Sequence, residues 1–234
     1  MKKCLKSQEK IPLTFWLDRA NIILLISERE VKQMKLKLKD FIIVSLLGVV
    51  GFVISMASGM ATQLFGAYGV FVHVSIGSFL CAPVYFVMCN KIPKRGAIFI
   101  YYLLSGIIYS IMGFVPMLPI MAVSGIVGEF LVGKADNYIN MGRLSLSYVI
   151  SQLIYSLHGF FFILVLGVEG LVKTFPNLFT LEAAQSVKDT FFNPMKMAVI
   201  LSIEIIAAVL GTLFGKYIYK KFFDKIGDKR SILS

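Results

Sequence analysis

Four ionisable residues lie inside long apolar stretches of this chain: His73, Glu129, His158 and Glu204. A charged side chain at the centre of a membrane helix costs about 2.5–3.5 kcal/mol on insertion scales. Such residues are therefore candidates for function by default. Gln152, Tyr155 and His158 add an amide, a phenol and an imidazole at i, i+3 and i+6, a spacing that keeps them along one stripe of a helix. A stripe of that kind suits the wall of a polar cavity. The alternative is that each group bonds a neighbouring helix, as polar groups in membrane bundles do.

Two histidines and two glutamates would in principle hold a metal or serve catalysis, but no motif supports either. The chain has no HExxH, no paired glutamates in an intramembrane protease pattern and no serine flanked by the glycines of a rhomboid-type site. It has no phosphate-cradling glycine loop, so it is not expected to hydrolyse ATP by itself. Cys4, Cys81 and Cys89 lack metal-ligand spacing and read as small buried apolar side chains. No catalytic residue, metal or cofactor is expected; a membrane hydrolase would have to work through Glu129 or His158.

The elements that must position these residues are six apolar stretches: Phe41–Thr62, Tyr68–Asn90, Ala97–Met117, Leu118–Gly133, Leu144–Gly167 and Met197–Tyr219. The chain of 234 residues is 57% hydrophobic and 16% charged, where a soluble domain carries about 25% charged residues. Mean hydropathy is +0.79. A span needs about 20 mainly apolar residues, and most of the six meet that length. The net charge of +11 is unevenly placed. Lys35, Lys37 and Lys39 precede the first stretch, Lys91, Lys94 and Arg95 fill the second gap, Lys134 and Arg143 the fourth, and Lys216, Lys220, Lys221, Lys225, Lys229 and Arg230 crowd the tail. The first gap (Gln63–Ala67) and the third (around Pro116–Pro119) carry no charge. Basic loops stay cytoplasmic and are attracted to anionic lipid. The expected fold is therefore all-α: a polytopic protein of the cell membrane with six transmembrane helices and both termini cytoplasmic. The lipid bilayer accounts for the basic surface, and nucleic acid is not an expected partner.

Helical rise translates this topology into depth. From the outer surface, His73 lies about 8 Å in, Glu204 about 10 Å and His158 about 14 Å. Glu129 lies about 15 Å in, near the midplane, where Lys134 or Arg143 is a candidate partner. The outer cavity is expected between spans four to six, with His158, Glu204, Gln152, Tyr155 and His73 as substrate contacts. The fifth gap, Val168 to Lys196, is the one long connection. Its Leu181–Lys188 segment has helix-forming composition, and Thr180 is placed to cap it; the segment is either a lid over the cavity or a plain connector. Small residues recur every four positions at Gly51, Ser55 and Gly59, with Gly48 nearby, and again at Ala207, Gly211 and Gly215. Such rows bring helices close together, for internal packing or for docking another membrane protein. Residues 1–33 are polar and lack the apolar core of a signal peptide. They read as an N-terminal arm, or as a mis-assigned start ahead of Met34, before a six-helix domain over 34–234.

From about Met34 onward the chain resembles the Trep_Strep family of bacterial integral membrane proteins. The likeness rests on the Lys-Leu-Lys-Asp entry into a Gly- and Ser-rich first span, and on Phe114-Val-Pro-Met-Leu-Pro-Ile-Met121 leading to Ser124-Gly-Ile-Val-Gly-Glu-Phe130. The Lys134–Arg143 loop leading to Leu146-Ser-Tyr148 adds to it. The resemblance implies a substrate-binding (S) component of an energy-coupling factor (ECF) transporter: a bundle, typically of six spans, that captures a micronutrient from outside. Such a component docks on a membrane coupling protein driven by two cytoplasmic ATPase subunits. Small-xxx-small rows on the first span mediate docking in several such proteins. The literal match here, Ala57 to Ala61, lies at the outer end, so Gly48, Gly51 and Ser55 are the docking candidates. The alternative reading is a small-solute channel or an independent secondary carrier.

Overall fold

The computed structural model describes residues 35–62, 64–65 and 69–224. The N-terminal arm, Cys4, most of the first gap and the tail lysines from Lys225 onward lie outside the described residues. From Leu36 on, the chain forms a compact helical unit. Its helices are α1 (Leu38–Thr62), α2 (Gly69–Lys91), α3 (Ala97–Ile111), α4 (Met117–Val132), α5 (Met141–Ser156), α6 (His158–Thr174), α7 (Leu181–Phe191) and α8 (Pro194–Ile218). A short 3-10 turn, Ala135–Ile139, joins α4 to α5, and a π-helical turn, Tyr219–Asp224, follows α8. No strand occurs among the described residues.

Four segments are long and apolar enough to cross a membrane: Leu38–Thr62, Phe71–Lys91, Met141–Thr174 and Pro194–Phe223. Ala97–Ile111 and Met117–Val132 are apolar but shorter. At 1.5 Å per residue they span roughly 23 Å each, less than a hydrocarbon core of about 30 Å. The expected third and fourth spans are thus abbreviated, because Phe114–Pro116 turns the chain before either helix gains another turn. The expected fifth span is interrupted. α5 closes at Leu157, whose amide donates to Ile154 O at 3.3 Å, and α6 restarts at His158.

Six of the helices close into a ring. α1 packs on α3, α3 on α4, α4 on α5, α5 on α8, α8 on α2, and α2 back on α1; α2 and α5 also meet across the middle. α6 and α7 pair as a hairpin. Glycine permits the closest of these approaches. A Cβ at Gly211 would lie 3.0 Å from Phe79 Cα, and one at Gly215 would lie 3.1 Å from the Ala82 carbonyl oxygen. Any larger residue would push α8 off α2. At Gly167 the backbone takes φ 68°, a left-handed conformation that glycine adopts without steric cost. It breaks α6 within the hairpin.

Helix ends follow their local chemistry. Asn140 Oδ1 accepts from the amides of Gly142 and Arg143, and Asn193 Oδ1 accepts from Met195 and Lys196. Thr180 Oγ1 accepts from the Ala183 amide at 3.2 Å, so the expected cap starts α7. Each cap satisfies a donor that the first helical turn leaves open. α3 begins after Gly96, which has no side chain to offer. Glu129 reaches over from α4 and does the capping instead: its Oε1 accepts from the amides of Ile98 at 2.8 Å and Phe99 at 3.2 Å. Tyr138 donates to the other Glu129 oxygen at 2.5 Å. Burial and the adjacent Glu129 push the Tyr138 phenol well above its ordinary range, so it remains a donor. Glu129 is therefore tied to backbone and a tyrosine, and its partners are not Lys134 or Arg143. At the same end of the ring, Lys94 pairs with Asp40 at 2.5 Å, and Lys91 sits over the Phe223 ring at 5.5 Å.

Candidate functional site

The opposite end of the ring holds a cavity of about 450 Å³. α1 contributes Ser55, Met56 and Met60, and α2 contributes His73. The corner between α3 and α4 brings Tyr109, Phe114 and Met117; the α5–α6 break brings Tyr155, His158 and Phe162. The α6–α7 hairpin adds Phe179, Val187 and Phe191. The cavity thus draws on α1, α2, α3, the first residue of α4, α5 and the hairpin. The expected frame of spans four to six is corrected: α8 packs on α2 and α5 and contributes no lining residue.

The two histidines meet inside this space. His73 Nε2 and His158 Nε2 are 3.2 Å apart, and the rings cross at 73°. Hydrogen positions follow from the surroundings. His158 Nδ1 is 3.0 Å from the Tyr155 carbonyl oxygen, which can only accept, so Nδ1 carries the proton. In a neutral imidazole the second nitrogen is then an acceptor. His158 Nε2 therefore presents a lone pair, and His73 Nε2 donates to it. The break after Ser156 makes this possible, since it places the His158 ring over the carbonyl of the turn it has just left. Tyr155 stacks on His158 with centroids 5.5 Å apart, and Phe162 meets it edge-on at 5.8 Å. No cluster of three or more His, Cys, Asp or Glu able to hold a metal occurs among the described residues.

Of the five residues singled out for substrate contact, three come together here: His73, His158 and Tyr155. Gln152 lies deeper and lines a separate void of about 30 Å³ with Tyr101, Tyr102 and Ser105. Tyr109 and Tyr155 border both spaces, and their hydroxyls bond at 2.9 Å. That pair is the floor of the cavity and the roof of the void. Glu204 is fully buried outside the cavity. It accepts from Ser75 Oγ at 2.8 Å and Ser78 Oγ at 2.5 Å. Ser78 has one proton to give, so Gln152 Oε1, 3.3 Å from the same hydroxyl, has the weaker claim on it. Tyr148 also donates to the Ser78 carbonyl at 2.5 Å. Glu204 and Gln152 thus join α2, α5 and α8 in the middle of the bundle.

The three candidate docking residues face inward. Gly48 is buried against Leu104, a Cβ at Gly51 would run into the Tyr101 phenol, and the Gly51 carbonyl accepts from Cys81 Sγ at 3.2 Å. Ser55 lines the cavity. Of the two readings of this row, its geometry serves internal packing, because α1 turns Gly48 and Gly51 toward α2 and α3. Leu46, Val49, Val50 and Val53 are exposed.

Met56, Met60, Tyr109, Phe114, Met117, Phe162 and Phe191 were not legible as site residues. Nothing separates an apolar side chain that lines a cavity from one that faces lipid until the helices are packed. Phe191 has one local signal, Gly159. A Cβ there would overlap the Phe191 ring, so the glycine lets α7 close onto α6 at the cavity wall.

Comparison with curated proteins and with solved structures gave no match. The model of one family, described as "Hypothetical bacterial integral membrane protein (Trep_Strep)", matches residues 38–225, and the chain belongs to that family.

Proposed function

We propose that this protein is the substrate-capture (S) component of an ECF-type importer, with six membrane-crossing helices and both termini cytoplasmic. It takes a micronutrient from the outer face into the His73–His158 cavity. It then docks on a membrane coupling protein driven by two cytoplasmic ATPase subunits. The observation that carries this reading is the position of the cavity, at the end of the ring away from Lys91, Lys94, Arg95, Lys134 and Arg143. Basic loops stay inside, so the cavity faces out. Its function is binding and not catalysis. Ligand binding selects one state of the bundle, and docking biases it toward another. Reconstitution tests this: the chain alone in vesicles should bind ligand without accumulating it, and uptake should need the coupling protein, its ATPases and ATP. Uptake by the chain alone overturns the reading.

One observation favours the alternative of an independent secondary carrier. Glu204 is fully buried, and among the described residues it has two serine donors and no ion pair. A carboxyl so placed is a candidate proton site in a proton-driven carrier. Uptake driven by a pH gradient and abolished by Glu204→Gln would establish that mechanism.

A further inference from the structure

The chemistry of the cavity wall narrows its cargo, an inference that rests on the capture reading above. Among the described lining residues there is no Asp, Glu, Lys or Arg. A charged ligand entering this space would lose its hydration and find no counter-charge, which is strongly unfavourable in a low-dielectric site. The bulk of the wall is aromatic and thioether: Tyr109, Phe114, Tyr155 and Phe162 with Met56 and Met117. Ring faces and edges favour stacked or T-shaped partners, and methionine sulfur packs against rings and adapts to their outline.

The Thr62 hydroxyl donates to the Gly59 carbonyl, and the Tyr109 and Tyr155 hydroxyls bond each other; the histidine pair sets a ring-nitrogen donor and acceptor side by side at this wall. His158 Nε2 is an acceptor because the Tyr155 carbonyl holds the proton on Nδ1, and His73 Nε2 is a donor 3.2 Å away. A donor and an acceptor side by side at that spacing complement a ligand edge that carries an acceptor beside a donor. A cyclic amide or a ring amidine has such an edge.

We propose that the cavity takes an uncharged, planar heteroaromatic molecule whose cyclic amide or amidine edge replaces the His73–His158 hydrogen bond with one bond to each histidine. The ring lies among the aromatic and methionine side chains, and the edge sets its orientation. Each histidine exchanges one partner for another, so little hydrogen bonding is lost on entry.

The test uses the full chain in lipid nanodiscs and three fluorescent probes. Lumichrome is a neutral tricyclic with a cyclic imide edge. Its N,N-dimethylated analogue keeps the ring and loses the donor, and a ring-carboxylated analogue adds a charge. Lumichrome should bind about tenfold or more tighter than either analogue, roughly the worth of one buried hydrogen bond. His158→Ala should abolish that preference, and His158→Gln, which restores an acceptor, should recover part of it. Far-ultraviolet circular dichroism of both variants controls for folding. Failure of lumichrome to bind at its solubility limit overturns the proposal. So does a charged or methylated analogue that binds as tightly, or a preference that survives in His158→Ala. These outcomes leave the capture reading standing, because that reading fails separately, on uptake by the chain alone.

Discussion

The two ends of the helical ring use the same kinds of residue in opposite ways. At the basic end, Glu129 accepts from two backbone amides and a tyrosine, Asp40 holds Lys94, and Tyr138 is fully buried. Each of these polar groups is bound to a fixed partner on another element. At the cavity end, the two histidines face one another beside about 450 Å³ of space, and their bond can be exchanged for bonds to a guest. Between the ends lies the Glu204–Ser75–Ser78 cluster, which ties α2 to α8. A carboxyl or an imidazole in a span is thus not by itself a site. What separates an anchor from a site is whether the partner is protein backbone or an exchangeable neighbour across a void.

If the basic end is the anchor, Glu129→Ala should have the largest effect on stability. It strips the acceptor from the Ile98 and Phe99 amides and from Tyr138, and buried donors left open should cost about 3 kcal/mol or more in total. Thermal unfolding in detergent would show this as a large fall in Tm, and an unchanged Tm would remove Glu129 as the anchor. At the other end, Gly159→Ala would press a methyl group into the Phe191 ring. Overpacking of this kind costs about 1–3 kcal/mol, and here α7 can relieve it by lifting from α6. Limited proteolysis between residues 175 and 180 should quicken while the global Tm moves little; a protected loop would show that α7 is held elsewhere.

Tyr155→Phe is a finer probe. It removes the hydroxyl bond to Tyr109 at the cavity floor and should cost about 1 kcal/mol. It leaves the Tyr155 carbonyl, and hence the His158 proton, in place. Ligand affinity should therefore change less than with His158→Ala, and an equal loss would move the recognition edge from the histidines to the floor. The smallest effect is expected from Glu204→Gln, which retains an acceptor oxygen for Ser75 or Ser78. Stability should fall by under about 1 kcal/mol, the net worth of one hydrogen bond, and ligand affinity by less than about threefold. A large loss of affinity would place Glu204 in the site after all.

Much of the fold could be read from local chemistry. The apolar stretches, the Thr180 cap and the helix after it depend on neighbours in sequence. So does the division of the protein into a basic end and an end whose acidic and basic residues balance. The resemblance to the Trep_Strep family rests on short runs of the same kind. The interruption of the fifth span at Leu157 was not legible: Ser156-Leu157-His158-Gly159 contains no proline, and its apolar neighbours suit a continuous helix. The shortness of α3 and α4 was partly visible in Pro116 and Pro119.

The amino-acid sequence by itself determined that the chain is helical and bound to a membrane, and it nominated His73, Glu129, His158 and Glu204. Hydropathy and charge are properties of segments, so they need no contacts to act. Only the tertiary structure decided which nominee does what. His73 and His158 are 85 positions apart, and their meeting depends on α1, α2, α5 and the hairpin closing round one space. Glu129 went to a helix start that Gly96 could not cap, and Glu204 to two serines on α2. A buried polar group takes whatever partner packing brings within about 3 Å, and packing is settled by the whole bundle at once.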